Sequence, residues 1–383
     1  MIYFDNSATT KPHKEVLHTF MKVNEQLFAN PSSIHSFGGK VEKLMQQARE
    51  QVASLLHVQG KEIIFTSGGT ESNNLAIKGA ALRYRNRGKH LITLKIEHPS
   101  VLNAFKQLEE FGYSVTYLDV DESGKVDPAM VEKEIREDTI LISIMHVNNE
   151  VGTIQPIMKI SEILQRYPKV IFHVDHVQGC GKVPLEMKHS RIDLCTISAH
   201  KVHGLKGTGL LYKRNGINLS PILTGGEQEA NIRSGTENVG GIASFAKALR
   251  LHFSKTENDI KKMFDIQRYL RDELEKLDGV IIHTPKADQA PHIINFSVKH
   301  FKAEVLVHAL DKHEIFVSTT SACSSKQSKP SRTLLSMGVP LEIAESSLRI
   351  SLSFENTLQE AKQFLQVFNT EINSLMKTMR RSK

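Results

Sequence analysis

The sequence predicts an α/β protein: a mainly parallel central sheet covered on both faces, followed by a smaller α+β region. Three observations carry this. Apolar strand-like runs alternate with helix-like runs from about residue 60 to 215. Those strands are continuously apolar rather than alternating, as strands buried on both faces are. Near residue 255 the pattern changes to a long charged amphipathic helix and then a mixed succession.

In order, EIIFTS reads as a strand and leads into a helix from about Glu71 to Tyr84. HLITLKI precedes a helix over 99–111, SVTYLDV one over 128–136, and TILISIMHV one over 156–167. VIFHVD, LCTISA and GTGLLYK are further strands. Beyond them come a helix from about Asn258 to Leu277, strands GVIIHT and HIINFSV, a helix over 303–313, strand IFVST, and a closing helix from about Asn356 to Met379. The chain has 383 residues, which suits two domains. The expected division is 15–256 for the large one, with 1–14 and 257–383 forming the small one.

Composition narrows the function. Apolar residues are 40% and charged residues 24%, ordinary for a globular protein. No run approaches the roughly 20 apolar residues of a membrane span. MIYFDNSATTKP lacks a secretory pattern, so a cytoplasmic location is expected. The net charge of +7 reads as a solvated surface, with no direct nucleic-acid binding expected. Three cysteines exclude a disulfide scaffold. Cys195 lies in apolar DLCTIS and reads as a buried, inert thiol. Cys180 carries no clear reading. Cys323, in polar and cationic SACSSKQSKPS, has the surroundings that favour a thiolate.

The sharpest segment is LCTISAHKVHGLKGTG, 194–209. A lysine at the end of a buried strand tends towards the neutral amine, which can condense with an aldehyde cofactor. Lys201 fits that position better than Lys206, and Ser198 and His200 could hold a phosphate beside it. Asp175 ends the strand VIFHVD, where a carboxylate needs a cationic partner. A protonated cofactor nitrogen, a strand-end cap, and metal ligation with His173 and His176 all remain open there. FTSGGTESNN turns from strand to helix through glycines, an anion cradle in outline. His98 follows one strand and precedes a helix, so it could stack on an aromatic cofactor or carry protons. Arg349, inside apolar SSLRISL, calls for either a substrate carboxylate or an internal one.

Together the blocks YFDNSATT, NPSSIHSFG, FTSGGTESNN, EHPSV, MHVNNEVGTIQPI, HVDHVQGCGKVP, SAHKVHGLKGTG, RSGTEN, SACSSK and SSLRISL resemble the cysteine desulfurases of the NifS/IscS group. These belong to the aspartate-aminotransferase-like fold type I of pyridoxal-phosphate enzymes, in the class V aminotransferase family. The resemblance covers nearly the whole chain. It implies pyridoxal 5′-phosphate as cofactor, L-cysteine as substrate, no metal, and a homodimer. Lys201 is then the Schiff-base lysine, Asp175 the partner of the pyridine nitrogen, and Gln178 the contact of the ring hydroxyl. His98 stacks on the ring and handles protons. Gly69, Thr70, Ser198 and His200 hold the phosphate, helped by Thr236 from the other subunit. Asn149 orients cofactor and substrate, and Arg349 grips the substrate carboxylate. Cys323, on a mobile loop, accepts the sulfur as a persulfide and alanine leaves.

The loop SACSSKQSKPS resembles the longer of the two loop types in this group. Two features depart from its pattern. Many relatives read HVDAxQ where this chain has HVDHVQ, placing His176 beside the cofactor. The chain also stops at Lys383 without the added tail usual in members that serve iron–sulfur scaffolds. The expected acceptor is therefore a tRNA sulfurtransferase first, then thiazole synthesis or an iron–sulfur scaffold protein. The alternative reading is another fold type I enzyme, such as a selenocysteine lyase or an aminotransferase.

Overall fold

The structure is a computed structural model and describes residues 1–319 and 330–381. Its strands are β1 (Ile2–Tyr3), β2 (Ile63–Thr66), β3 (His90–Leu94), β4 (Ser114–Leu118), β5 (Thr139–Met145), β6 (Ile171–Asp175), β7 (Leu194–Ser198), β8 (Gly209–Lys213), β9 (Val280–Ile282), β10 (Ile293–Val298), β11 (Ile315–Phe316), β12 (Ser318–Thr319) and β13 (Ser347–Ser351).

The large sheet has the order β2-β8-β7-β6-β5-β3-β4. Every neighbouring pair is parallel except those of β8, which runs antiparallel to β2 and β7. The cause is local. Only residues 199–208 separate β7 from β8, and a parallel return needs a crossover of a dozen or more. β5, β6 and β7 are buried along their whole length. Their side chains alternate between two cores. Phe172 and Val174 join the core under helices Ser36–Leu55, Ile157–Leu164 and Val239–Phe253. Ile171 joins the core under helices Gly69–Tyr84 and Pro99–Glu110.

The predicted helices form, with ends shifted by caps. The first starts at Gly69 because Gly68, at φ 149°, turns the chain out of β2. The charged helix starts at Glu257, where Thr256 and Asp259 make a reciprocal capping box. Helices Lys14–Gln26, Ser36–Leu55 and Val239–Phe253 are additional to those read from the sequence. The last is buried almost all round, so it shows no clean apolar stripe.

The second sheet is antiparallel, in the order β12-β13-β10-β9. It packs with helices Glu257–Leu274, Ala303–Asp311 and Leu358–Arg381 around a separate core containing Phe4, Phe296, Phe364 and Phe368. The N-terminal segment joins the two regions. β1 pairs with β11, Asp5 bridges to Ser351, and Thr10 donates its N–H to the His200 carbonyl at 2.9 Å. No helix among the described residues is long and apolar enough to cross a membrane.

Candidate active site

A cavity of about 290 Å³ lies where β5, β6 and β7 end, the usual place for a site in such sheets. Nine predicted residues surround it: Gly69, Thr70, His98, Asn149, Asp175, Gln178, Ser198, His200 and Lys201. Lys206 is exposed and lies outside it. Thr236 is exposed and does not line the cavity of its own chain. Arg349 lies behind the wall, and Cys323 lies outside the described residues.

Lys201 closes the short helical turn Ala199–Lys201 that follows β7, and it is only 8% exposed. Its ammonium donates to the backbone carbonyls of Ser7 and Ala8, the latter at 2.8 Å. The Gln178 amide donates to the same Ser7 carbonyl at 3.0 Å. The N-terminal segment therefore aims both side chains.

Asp175 ends β6, buried, with both carboxylate oxygens engaged. Oδ1 accepts from the Val177 N–H at 3.0 Å and Oδ2 from the Asn73 amide at 2.8 Å. These bonds offset the cost of burying the charge. The competing metal reading fails on geometry. His173 commits its ring nitrogens to Ser143 (2.8 Å) and Thr196 (3.0 Å) within the sheet. His176 turns to His146, with Nδ1 atoms 2.8 Å apart.

His98 caps helix Pro99–Glu110. Its Nδ1 accepts from the Ser100 N–H at 3.2 Å. A backbone N–H only donates, so the neutral ring carries its proton on Nε2. Burial holds this imidazole below its ordinary pKa, opposed by Asp175 and reinforced by Lys201. His200 contacts Thr9 at 3.2 Å, and burial, with Lys201 and Lys206 adding to it, pushes it down to about 4.

At the other end, the first turn of helix Gly69–Tyr84 faces Ser198. A Cβ on Gly69 would lie 3.2 Å from Val177 Cγ2 and 3.5 Å from Ser198 Cβ, so a side chain there would press into the wall. The Ser198 hydroxyl is buried and has no hydrogen-bond partner among the described residues. An orphaned donor beside a helix N-terminus suits a phosphate.

Arg349 is 1% exposed. It donates to the Asn149 carbonyl at 2.7 Å and to Asp5 at 3.0 Å, so in this structure it answers an internal carboxylate. Its Nε is buried without a partner among the described residues.

Sequence reasoning missed Asn73, Ser7, Ala8 and Ser100. Asn73 had a usable signal: it stands four residues after Gly69, on the same helix face. Of the thiols, Cys180 and Cys195 are fully enclosed. Burial pushes Cys180 up to about 12 and Cys195 well above its ordinary value.

Comparison with known proteins agrees with this arrangement. The family described as aminotransferase class-V matches residues 2–364. A "NifS/IcsS protein homolog" of Lactobacillus delbrueckii subsp. bulgaricus is 47% identical over 371 residues, 96% of each chain. A "Cysteine desulfurase IscS" of Dictyoglomus turgidum is 43% identical over 375 residues, 98% of this chain and 95% of its own. A solved "NIFS-LIKE PROTEIN" superposes with a TM-score of 0.92 at 37% identity, covering 98% of this chain and 99% of that one. The chain belongs to the class V aminotransferases of the NifS/IscS group, fold type I enzymes that work with pyridoxal 5′-phosphate.

Proposed function

We propose that this chain is a cysteine desulfurase that moves the sulfur of L-cysteine onto Cys323 and releases L-alanine. The observation that carries the reading is the meeting of Lys201 and Asp175 in one cavity with a cradle for a phosphate. The name of the Dictyoglomus relative points the same way.

When bound there, pyridoxal phosphate supplies an electron sink at the substrate α-carbon. The chain's own residues do the rest. Gly69, Thr70, Ser198 and His200 hold the phosphate. Asp175, aligned by Asn73 and Val177, would hold the ring nitrogen. Gln178 meets the ring hydroxyl. His98 would lie against the ring, where its Nε2 could give its proton to the substrate and take it back. Lys201 would hold the cofactor through its amine and, once released from it, could take the substrate α-proton. Asn149 orients the substrate, and Arg349 turns its unpartnered Nε–H to the substrate carboxylate. The Cys323 thiolate attacks the substrate sulfur. The C–S bond breaks, and enzyme thiol plus cysteine become enzyme persulfide plus alanine. Cys180 and Cys195 are sealed and held protonated, which leaves Cys323 as the acceptor.

The working unit we infer is a homodimer. Thr236 is exposed on its own chain, away from its own cavity, so it reaches a phosphate only across a subunit interface. The enzyme is a cytoplasmic sulfurtransferase, and the persulfide passes to an acceptor protein. A tRNA sulfurtransferase is our first choice, with thiazole synthesis or an iron–sulfur scaffold next.

The test is mass spectrometry of the cofactor-loaded full chain after incubation with L-cysteine. A one-sulfur adduct on the Cys323 peptide, with alanine released, is expected. Alanine formation unchanged in Cys323→Ser, or an adduct only on Cys180 or Cys195, overturns the reading.

A further inference from the structure

Away from the cavity, His13, His203 and Glu355 converge. One imidazole nitrogen from each histidine and one carboxylate oxygen lie within 4.8 Å of one another. We propose that these three residues form a binding site for a divalent transition metal, zinc by preference, with a solvent-facing fourth position.

His203 is the strongest part of the case. It is 1% exposed, and its Nδ1 stands 2.8 Å from the Lys11 carbonyl. A carbonyl only accepts, so Nδ1 carries the proton and Nε2 presents a lone pair. That Nε2 is buried and has no hydrogen-bond partner among the described residues. An imidazole whose tautomer is fixed by a backbone carbonyl is the usual form of a metal ligand. A buried nitrogen left unpaired costs free energy unless something occupies its lone pair. His203 also sits at φ 58°, a left-handed conformation rarely adopted by a residue with a Cβ.

The other two ligands come from separate segments. His13 precedes helix Lys14–Gln26, and its Nδ1 is 3.4 Å from a Glu355 oxygen. Glu355 follows β13, and its side chain is 54% exposed. Two imidazoles, one carboxylate and a water make a four-coordinate zinc set. Bonds of about 2.1 Å put tetrahedral ligands about 3.4 Å apart, so the group must contract by up to about 1.4 Å. The His13 and His203 rings are stacked, with centroids 4.4 Å apart and planes 17° from parallel. A metal approaches an imidazole in its plane, so binding requires His13 to turn out of the stack. His13 is partly buried, with its side chain 16% exposed.

The ion would tie together the N-terminal segment, the loop two residues beyond Lys201, and the segment after the strand that carries Arg349. It would fasten the two sheets beside the cavity without entering it.

The experiment uses the cofactor-loaded full chain without an affinity tag, in a Cys323→Ser background so that no loop thiolate competes. After chelation and desalting, Zn²⁺ binding is measured by competition with a chromophoric chelator. One Zn²⁺ per chain is expected. Affinity should fall at least about tenfold in His13→Ala and in Glu355→Gln. Glu355→Gln keeps the side-chain size, so a folding defect in His13→Ala leaves the test intact. Thermal stability should rise with Zn²⁺ in the parent and not in Glu355→Gln. Equal binding in parent and Glu355→Gln, or no competition with the chelator by the parent, overturns the proposal.

Discussion

Asn73 donates its amide to Oδ2 of Asp175 at 2.8 Å, joining the second turn of a helix to the end of β6 across 102 residues of sequence. The other carboxylate oxygen is held by a backbone N–H. Asn73 is thus the one described side chain that fixes the orientation of this buried carboxylate. Asn73→Ala should weaken cofactor binding roughly 10- to 100-fold, the scale of one hydrogen bond to a charged group. Equilibrium dialysis of the cofactor checks this.

Ser198 offers a cleaner separation of cofactor binding from folding. Its buried hydroxyl makes no hydrogen bond to the described residues. Ser198→Ala should therefore leave the stability of the cofactor-free protein within about 0.5 kcal/mol, yet weaken cofactor binding about tenfold. Urea unfolding without cofactor and cofactor titration read the two quantities separately.

Arg349, fully buried, pairs with Asp5, whose side chain is 21% exposed. Arg349→Ala empties a fully buried site and removes the bonds to Asn149 and Asp5, and should cost about 3–5 kcal/mol in chemical unfolding. Asp5→Asn keeps an acceptor for the guanidinium and should cost about 1–2 kcal/mol. The reverse order of losses would contradict the pairing.

Acid should unfold the protein well above the carboxylate range. Burial pushes His146 and His283 from 6.5 down to about 4, and His173 down to about 3. Each is neutral when folded and protonates more readily when unfolded. The stability they contribute is complete above pH 6.5 and drains away as pH falls towards 4. Within that window each ring removes about 1.4 kcal/mol per pH unit. Urea midpoints should fall steeply from pH 6.5 to 4.5, and the slope should be shallower in His283→Asn.

Gly179 is constrained by the pair that His176 makes. A Cβ there would lie 2.6 Å from His146 Nδ1 and 2.8 Å from His176 Nδ1. Gly179→Ala should cost about 1–3 kcal/mol. Adding His176→Ala should recover part of this loss by letting the His146 ring move aside. Additive losses in the double variant would show that the two positions are uncoupled.

The sequence held most of the frame and part of the site. Apolar runs ending in Asp175 and Ser198 announced themselves, because a charged or polar group at the end of a buried strand needs a reason. Asn73 was legible only by its place, one helical turn after Gly69; its partner, 102 residues away, was not. Ser7 and Ala8 were silent for another reason: they act through backbone carbonyls, which every residue possesses. Helix Val239–Phe253 escaped because burial on nearly all sides erases the periodicity that marks a surface helix. The reversal of β8 follows from loop length rather than from any strand residue.

The N-terminal thread also sets a schedule. Asn6 reaches the Ser351 carbonyl across 345 positions, and the Lys201 ammonium hangs from carbonyls made nearly two hundred residues earlier. On a ribosome adding about 5–20 residues per second, the first segment waits roughly 20–70 s for its last partner to emerge. Until then the nascent chain has Lys201 and its two carbonyl partners but lacks the Asn6–Ser351 clasp. The N-terminal segment therefore keeps its last hydrogen bond open until the end of synthesis.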